Sequence, residues 1–233
     1  MIAIICAMSE ERDAFLKLMK DVKTSKFEKI NYHGALLDNK CYTGKLNNKD
    51  VVLIRSGVGK VYAAIVTTIV IKKFKPELIV NLGTSGSLSN KVNVNDVVVA
   101  TRVADWDVDV PDWNRSIYSE KMSFACDERF IKLAKQLKTK TKVIFGAIVS
   151  GDEFVHKKTQ VKTIMKFFPE SLCCEMEGSS VANTCYAFGV NCAIVRSISD
   201  VTLVRNNYSK SMHTLNDVSI TAANVCADII KRY

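Results

Sequence analysis

Two carboxylates stand one residue apart in Glu175-Met176-Glu177, directly after the apolar run Leu172-Cys173-Cys174. If that run is a strand reaching this far, alternation sends Glu175 and Glu177 to one face. Such a pair can grip hydroxyls, stabilise a cation or move a proton. Acidic decoration of a helix N-terminus would give the same pattern. Ser199-Asp200 follows the apolar run Ala193 to Ile198 in the same manner. An aspartate there serves as a general acid if burial raises its pKa, or simply as a turn or helix cap. Gly83-Thr84-Ser85-Gly86-Ser87 follows a third apolar run, ending at Leu82. Its small residues let backbone N–H groups approach phosphate or ribose hydroxyls, although glycine-rich turns also end strands that bind nothing.

These clusters need elements to position them. Ile2 to Cys6 reads as a short buried strand. Ser9 is placed to cap a helix from Glu10 to about Lys20, with Glu10 and Glu11 in the first turn, where the helix dipole favours negative charge. Short alternating segments near Lys29 to Leu37, Lys40 to Leu46 and Asp50 to Ser56, parted by Asp38-Asn39 and Asn47-Asn48, predict an antiparallel meander. Gly57-Val58-Gly59-Lys60 opens a long helix through Phe74, which Pro76 ends. Strands are expected at Glu77 to Leu82, Asp96 to Ala104, Lys142 to Ser150, Ser171 to Glu175 and Asn191 to Ile198. Helices are expected near Asp127 to Leu137, Lys158 to Phe167, Gly178 to Ala187 and Thr214 to Lys231. Asp105 to Ser119, with Trp106, Trp113 and Tyr118, reads as an irregular loop.

Strands and helices alternate after Gly57, which implies an α/β fold, an open three-layer α/β/α sandwich with a mixed central β-sheet. Ligands of such sheets sit at the carboxyl ends of strands. That rule brings Ser150-Gly151-Asp152, Glu175-Met176-Glu177 and Ser199-Asp200 towards one pocket.

Composition narrows the function classes. The 233 residues are 48% apolar and 24% charged, with three prolines, so one domain spanning 1–233 with a large core is expected. The opening run Met1-Ile2-Ala3-Ile4-Ile5 reads as too short and too little basic for a signal segment, and the longest later apolar stretch, Tyr62 to Ile71, as too short to span a bilayer. A soluble cytoplasmic protein without a membrane partner is expected. Most of the eight cysteines lie within apolar runs, and Cys173-Cys174 are adjacent. They read as reduced, buried thiols and not as metal ligands or bridges. The net charge of +9 comes from lysines scattered over polar faces, with no arginine cluster interleaved with aromatics. A solvated surface explains it better than a nucleic-acid partner does.

Taken in order, six segments resemble the 5′-methylthioadenosine/S-adenosylhomocysteine nucleosidases of the purine nucleoside phosphorylase superfamily. They are Ile4 to Glu11, Ser56 to Lys60, Asn81 to Gly86, Val149 to Phe154, Glu175 to Gly178 and Arg196 to Asp200. The resemblance implies hydrolysis of the N-glycosidic bond of 5′-methylthioadenosine and S-adenosylhomocysteine, with 5′-deoxyadenosine a further substrate. It implies that Glu11 activates water, that Asp200 protonates adenine N7 and that Ser199 orients Asp200. It also implies that Glu177 grips the ribose hydroxyls beside the Met176 backbone, that Phe154 stacks on adenine and that the Val155 backbone reads the base edge. Met8, Gly83, Thr84, Ser85, Gly86 and Glu175 complete the implied substrate site, with Glu175 in a supporting role. No metal or redox cofactor is implied.

The chemistry agrees with these roles. Protonating adenine makes it a better leaving group, and a nearby carboxylate stabilises the oxocarbenium-like ribose that remains. Phosphorylases of the superfamily carry an arginine where Asn81 stands, and two carboxylates at Glu10-Glu11 repel a phosphate dianion. Water is therefore the expected nucleophile, although Arg12 and Arg55 leave an anion site open, and a phosphorylase or a hydrolase of another purine nucleoside is the alternative. The sequence departs from the family pattern at Cys6, at Ser87 and over Thr202 to Asn207, which concerns the pocket for the 5′ substituent. The resemblance further implies a homodimer, with Trp113 the candidate for a residue lent to a neighbouring subunit.

Overall fold

The computed structural model describes residues 1–30, 40–108, 123–201 and 207–233. Among the described residues, ten strands form one sheet. They are β1 (Ile2–Cys6), β2 (Lys20–Lys26), β3 (Lys40–Leu46), β4 (Lys49–Arg55), β5 (Leu78–Ser87), β6 (Val97–Asp105), β7 (Phe124–Ala125), β8 (Val143–Ser150), β9 (Ser171–Glu175) and β10 (Asn191–Val201). The helices among the described residues are α1 (Ser9–Leu16), α2 (Lys60–Phe74), α3 (Glu128–Lys135), α4 (Lys158–Phe167), α5 (Gly178–Phe188) and α6 (Asn207–Ile230). None of them is long and apolar enough to cross a membrane.

The sheet is mixed, and half of it closes on itself. β5 pairs in parallel with β10, β10 antiparallel with β6, β6 in parallel with β8, and β8 in parallel with β9. β9 then returns antiparallel to β5 through Gly86–Cys174 and Ser87–Cys173. From β5 an arm runs outwards through β1, β4, β3 and β2. The expected open sandwich is thus corrected to a sheet with a closed ring at one end. Long, twisted strands such as β5 and β10 can serve two sets of neighbours, which is what closes it.

Strand alternation divides the core in two. Ile2, Ile4 and Cys6 of β1 pack with Phe15 of α1, Phe130 of α3 and Val225 of α6. Ala3 and Ile5 point the other way, to Ala63 and Val66 of α2 and Val181 and Cys185 of α5. Helices therefore cover both faces, which gives the α/β/α layering. A smaller cluster joins Leu88, Trp106, Val149, Val155 and Cys174 to Val161 and Ile164 of α4. All eight cysteines are buried free thiols, as their apolar surroundings indicate.

Several boundaries move from the sequence-based expectation. α1 ends at Leu16, and Met8, not Ser9, stands at its cap. Lys20, the expected helix end, instead opens the strand β2 (Lys20–Lys26), paired with β3, for which the sequence raised no expectation. Of the meander, the segment from Lys29 to Leu37 lies mostly outside the described residues, and the other two segments are β3 and β4. Gly83 to Ser87 is no turn but the second half of β5, because β10 runs beside it as far as the Val201–Ser87 pair. Ser199 and Asp200 likewise lie within β10, not beyond its end. α6 begins earlier than expected, at Asn207.

Candidate active site

The carboxyl ends of β5, β9 and β10 meet where Gly86 pairs with both Cys174 and Asp200. Beside that junction lies a pocket of about 300 Å³. β1 delivers Ala7, Met8 and, through the first turn of α1, Glu11. β5 delivers Thr84, Ser85 and Gly86; β9 and its exit deliver Glu175, Met176 and Glu177; and β10 delivers Ser199 and Asp200. Phe154 and Val155 enter from the segment between β8 and α4. Gly83 stands just behind this wall, against Glu11. Trp113 lies outside the described residues.

Glu11 is buried, and both of its carboxyl oxygens are occupied. Oε2 accepts from the Ala7 and Met8 N–H groups, each at 3.0 Å. Oε1 accepts from the Thr84 N–H at 2.9 Å and from Thr84 Oγ1 at 3.3 Å. Burial raises its pKa, against the opposing pull of Arg196 and of the Met8, Thr84 and Ala7 N–H donors. The outcome is a carboxylate held in one orientation and more basic than an exposed glutamate.

The two glutamates flanking Met176 have different surroundings. Glu175 accepts from Ser150 Oγ, from Arg196 Nη2, and from the N–H groups of Glu177 (2.9 Å) and Gly178 (2.8 Å). Burial would raise its pKa, but the charge of Arg196 and the hydrogen bonds from Ser150 and Arg196 prevail and lower it. Arg196 is itself buried and also donates to the Asn81 side chain and, at 3.2 Å, to the Asn81 carbonyl. Glu177 lies 3.8 Å from Arg196 and accepts from the Gly59 N–H at 2.9 Å. Burial and the neighbouring charge of Glu175 raise its pKa to about 8. Glu175 is thus a fixed anion, whereas Glu177 is a proton-holding group at the wall.

Ser199 Oγ donates to Asp200 Oδ1 at 2.8 Å and lies 3.3 Å from the Ser85 carbonyl. Both residues are buried. Outside the pocket wall, Lys60 Nζ reaches Asp107 at 2.6 Å and Asp105 at 3.3 Å, and its backbone N–H donates to Asp152 at 3.0 Å. This knot joins the start of α2 to the segment carrying Phe154. Arg12 pairs with Asp13 at 2.7 Å, and neither Arg12 nor Arg55 is part of the pocket wall.

Reasoning from sequence did not select Ala7, Val58, Glu153, Cys174 and Leu215, all of which line the pocket. Four of these are apolar or weakly polar and carry no chemical signal of their own. Arg196 appeared in a motif but received no role, because its partner Glu175 is met only through the folded sheet.

Comparison with known proteins places the chain in a family. The family model described as the phosphorylase superfamily matches residues 1–233. A 5′-methylthioadenosine/S-adenosylhomocysteine nucleosidase of Haemophilus ducreyi is 38% identical over 205 residues, covering 86% of this chain and 84% of that one. The crystal structure of the Neisseria meningitidis enzyme of that name, in complex with methylthio-immucillin-A, superposes with a TM-score of 0.87 at 31% identity, covering 100% of this chain and 99% of that one. Futalosine hydrolase of Helicobacter pylori superposes with a TM-score of 0.82 at 29% identity, covering 100% and 97%. The family model and these relatives identify the chain as a member of the phosphorylase superfamily and, within it, of the 5′-methylthioadenosine/S-adenosylhomocysteine nucleosidase family.

Proposed function

We propose that the chain hydrolyses the N-glycosidic bond of 5′-methylthioadenosine and S-adenosylhomocysteine, releasing adenine and the thioribose product. One observation carries the choice of water over phosphate. Five carboxylate side chains line the pocket (Glu11, Glu153, Glu175, Glu177 and Asp200), and among the described residues no lysine or arginine does. Glu177 holds its proton and Arg196 stands behind it, but the remaining carboxylates would repel a phosphate dianion, whereas a ribose turning cationic would be stabilised.

In the proposed mechanism Asp200, oriented by Ser199, gives a proton to adenine N7 while the C1′–N9 bond breaks. Glu177 holds the ribose hydroxyls, and Glu175 fixes Arg196 and the Glu177 backbone behind it. Glu11 takes a proton from the water that attacks C1′; its raised pKa suits it to that task. Phe154 supplies a stacking surface, and apolar Met8, Val58, Met176 and Leu215 suit a thioether substituent.

Two further parts of the reading concern the cell and assembly. The protein acts in the cytoplasm, as one nucleoside phosphorylase-like domain, without a nucleic-acid or membrane partner. It works as a homodimer: Val61 and Ile65, one turn apart on α2, are exposed apolar residues suited to a second copy.

The kinship with futalosine hydrolase keeps a second substrate class in view. Release of the free base from methylthioadenosine, S-adenosylhomocysteine and adenosine (adenine) and from futalosine (hypoxanthine), each with and without phosphate, tests the proposal. Release from the two thioadenosines without phosphate is expected. Strict phosphate dependence, or turnover of futalosine alone, would overturn it.

A further inference from the structure

Residues 151–157 connect β8 to α4 without regular secondary structure, yet they carry Glu153, Phe154 and Val155 in the pocket wall. Backbone groups in such a segment must find partners outside any ladder. At its first end, Asp152 is tied to Lys60 and its N–H donates to Asp107 at 2.7 Å.

At the other end a single side chain does the tying. Gln160, the third residue of α4, is half-buried and stands outside the pocket wall. Its Oε1 accepts from the His156 N–H at 3.0 Å and the Lys157 N–H at 2.9 Å, and its Nε2 donates to Glu153 Oε2 at 2.8 Å. The two backbone bonds are the reach-back of a helix N-terminus, which a glutamate could also make. The third needs an amide donor, which a glutamate lacks. Between the tied points, the Phe154 carbonyl lies 2.9 Å from His156 Nδ1.

We propose that Gln160 is a positioning residue for base recognition: its amide locks Glu153 and the 153–157 backbone in the conformation that presents Phe154 and Val155 to the pocket. The consequence for the substrate rests on the reading that this wall faces the nucleobase; the lock itself does not.

Gln160→Glu separates the two functions of the amide. It keeps an acceptor for both N–H groups but sets a carboxylate against Glu153. Backbone hydrogen exchange over 151–157 is expected to speed up, and KM for methylthioadenosine to rise about tenfold with kcat changed much less. The double variant Glu153→Gln/Gln160→Glu restores the bond with donor and acceptor exchanged, so exchange should slow again and most of the lost affinity return. A role confined to stability would lower the thermal midpoint of Gln160→Glu and leave its KM for methylthioadenosine unchanged. Unchanged exchange in Gln160→Glu, or no recovery in the double variant, overturns the proposal. Wild-type protein that releases no adenine overturns the functional reading instead, and the exchange data then decide the lock alone.

Discussion

Arg196 and Glu175 form an ion pair whose side chains are only 1% and 2% exposed, and which joins β10 to the end of β9. Each has lost its water, so each depends on the other. Arg196→Met would leave Glu175 charged in the interior, with only neutral donors around it. A loss of about 3–5 kcal/mol in unfolding free energy is expected. Adding Glu175→Gln to it should recover part of that loss, because the orphaned charge is then gone. Denaturant titration of the three proteins checks this; a loss below about 1 kcal/mol in Arg196→Met would mean the pair is not the anchor of this wall.

Glu177 gives stability a pH dependence of opposite sign to that of an ordinary paired glutamate. In the unfolded chain it ionises near its ordinary value of about 4.3. In the folded protein burial and the charge of Glu175 hold the proton until about pH 8. Between those values the folded state carries a proton that the unfolded state has released. This contribution is therefore complete below the unfolded value, declines as pH rises, and is gone above the folded one. The slope is at most about 1.4 kcal/mol per pH unit. Glu11, also raised, acts in the same direction. Glu177→Gln should flatten part of the decline, and superimposable pH–stability curves for variant and wild type would contradict it.

Asp200 and Ser199 are joined at 2.8 Å, but the proposed roles differ in kind. A general acid contributes about 10²–10⁴-fold to rate, so Asp200→Asn should lower kcat by that much. Asparagine is nearly isosteric, so the thermal midpoint should change little. Ser199→Ala removes a hydrogen bond to the acid but leaves the acid itself in place, and a loss of about tenfold is expected. Adenine release measured beside thermal unfolding distinguishes the two. An Asp200→Asn enzyme within tenfold of wild type would remove Asp200 from the mechanism.

What could be read from the chain follows where its information is local. Lys158–Phe167 and Ser171–Glu175 keep their predicted ends because apolar spacing marks their buried faces. β2 was illegible: every residue of Lys20–Lys26 is exposed, so no buried face is written into it, and only β3 makes it a strand. Gly83 to Ser87 misled for the converse reason, since small residues suggest a turn while the long neighbour β10 imposes a strand. In the site, clusters at strand ends were legible one by one. Their convergence on one pocket was expected from the strand-end rule, but the crossing that closes it, β9 antiparallel to β5 at Gly86, was not. Arg196 shows the same limit, with a partner 21 residues away along the chain and in contact across the sheet.

Gly83 offers a way to separate the position of Glu11 from its charge. A Cβ at Gly83 would lie 2.8 Å from Glu11 Oε1 and 3.2 Å from Arg196 Nη1. Gly83 lies in a strand with no positive φ, so alanine suits the backbone and the conflict is steric alone. Glu11 cannot swing aside freely, because Ala7, Met8 and Thr84 hold it on both oxygens. Gly83→Ala should therefore cost about 1–3 kcal/mol of stability through overpacking. It should also lower kcat about tenfold or more, since a displaced base no longer meets the attacking water. Glu11→Gln keeps the position and removes the charge, so it should lower kcat by about 10²–10⁴-fold while leaving nucleoside binding largely intact. If Gly83→Ala kept full kcat while Glu11→Gln lost it, the charge of Glu11 would matter and its placement over Gly83 would not. The two kinetic profiles, measured at one pH with methylthioadenosine, decide between orientation and electrostatics as the work of this carboxylate.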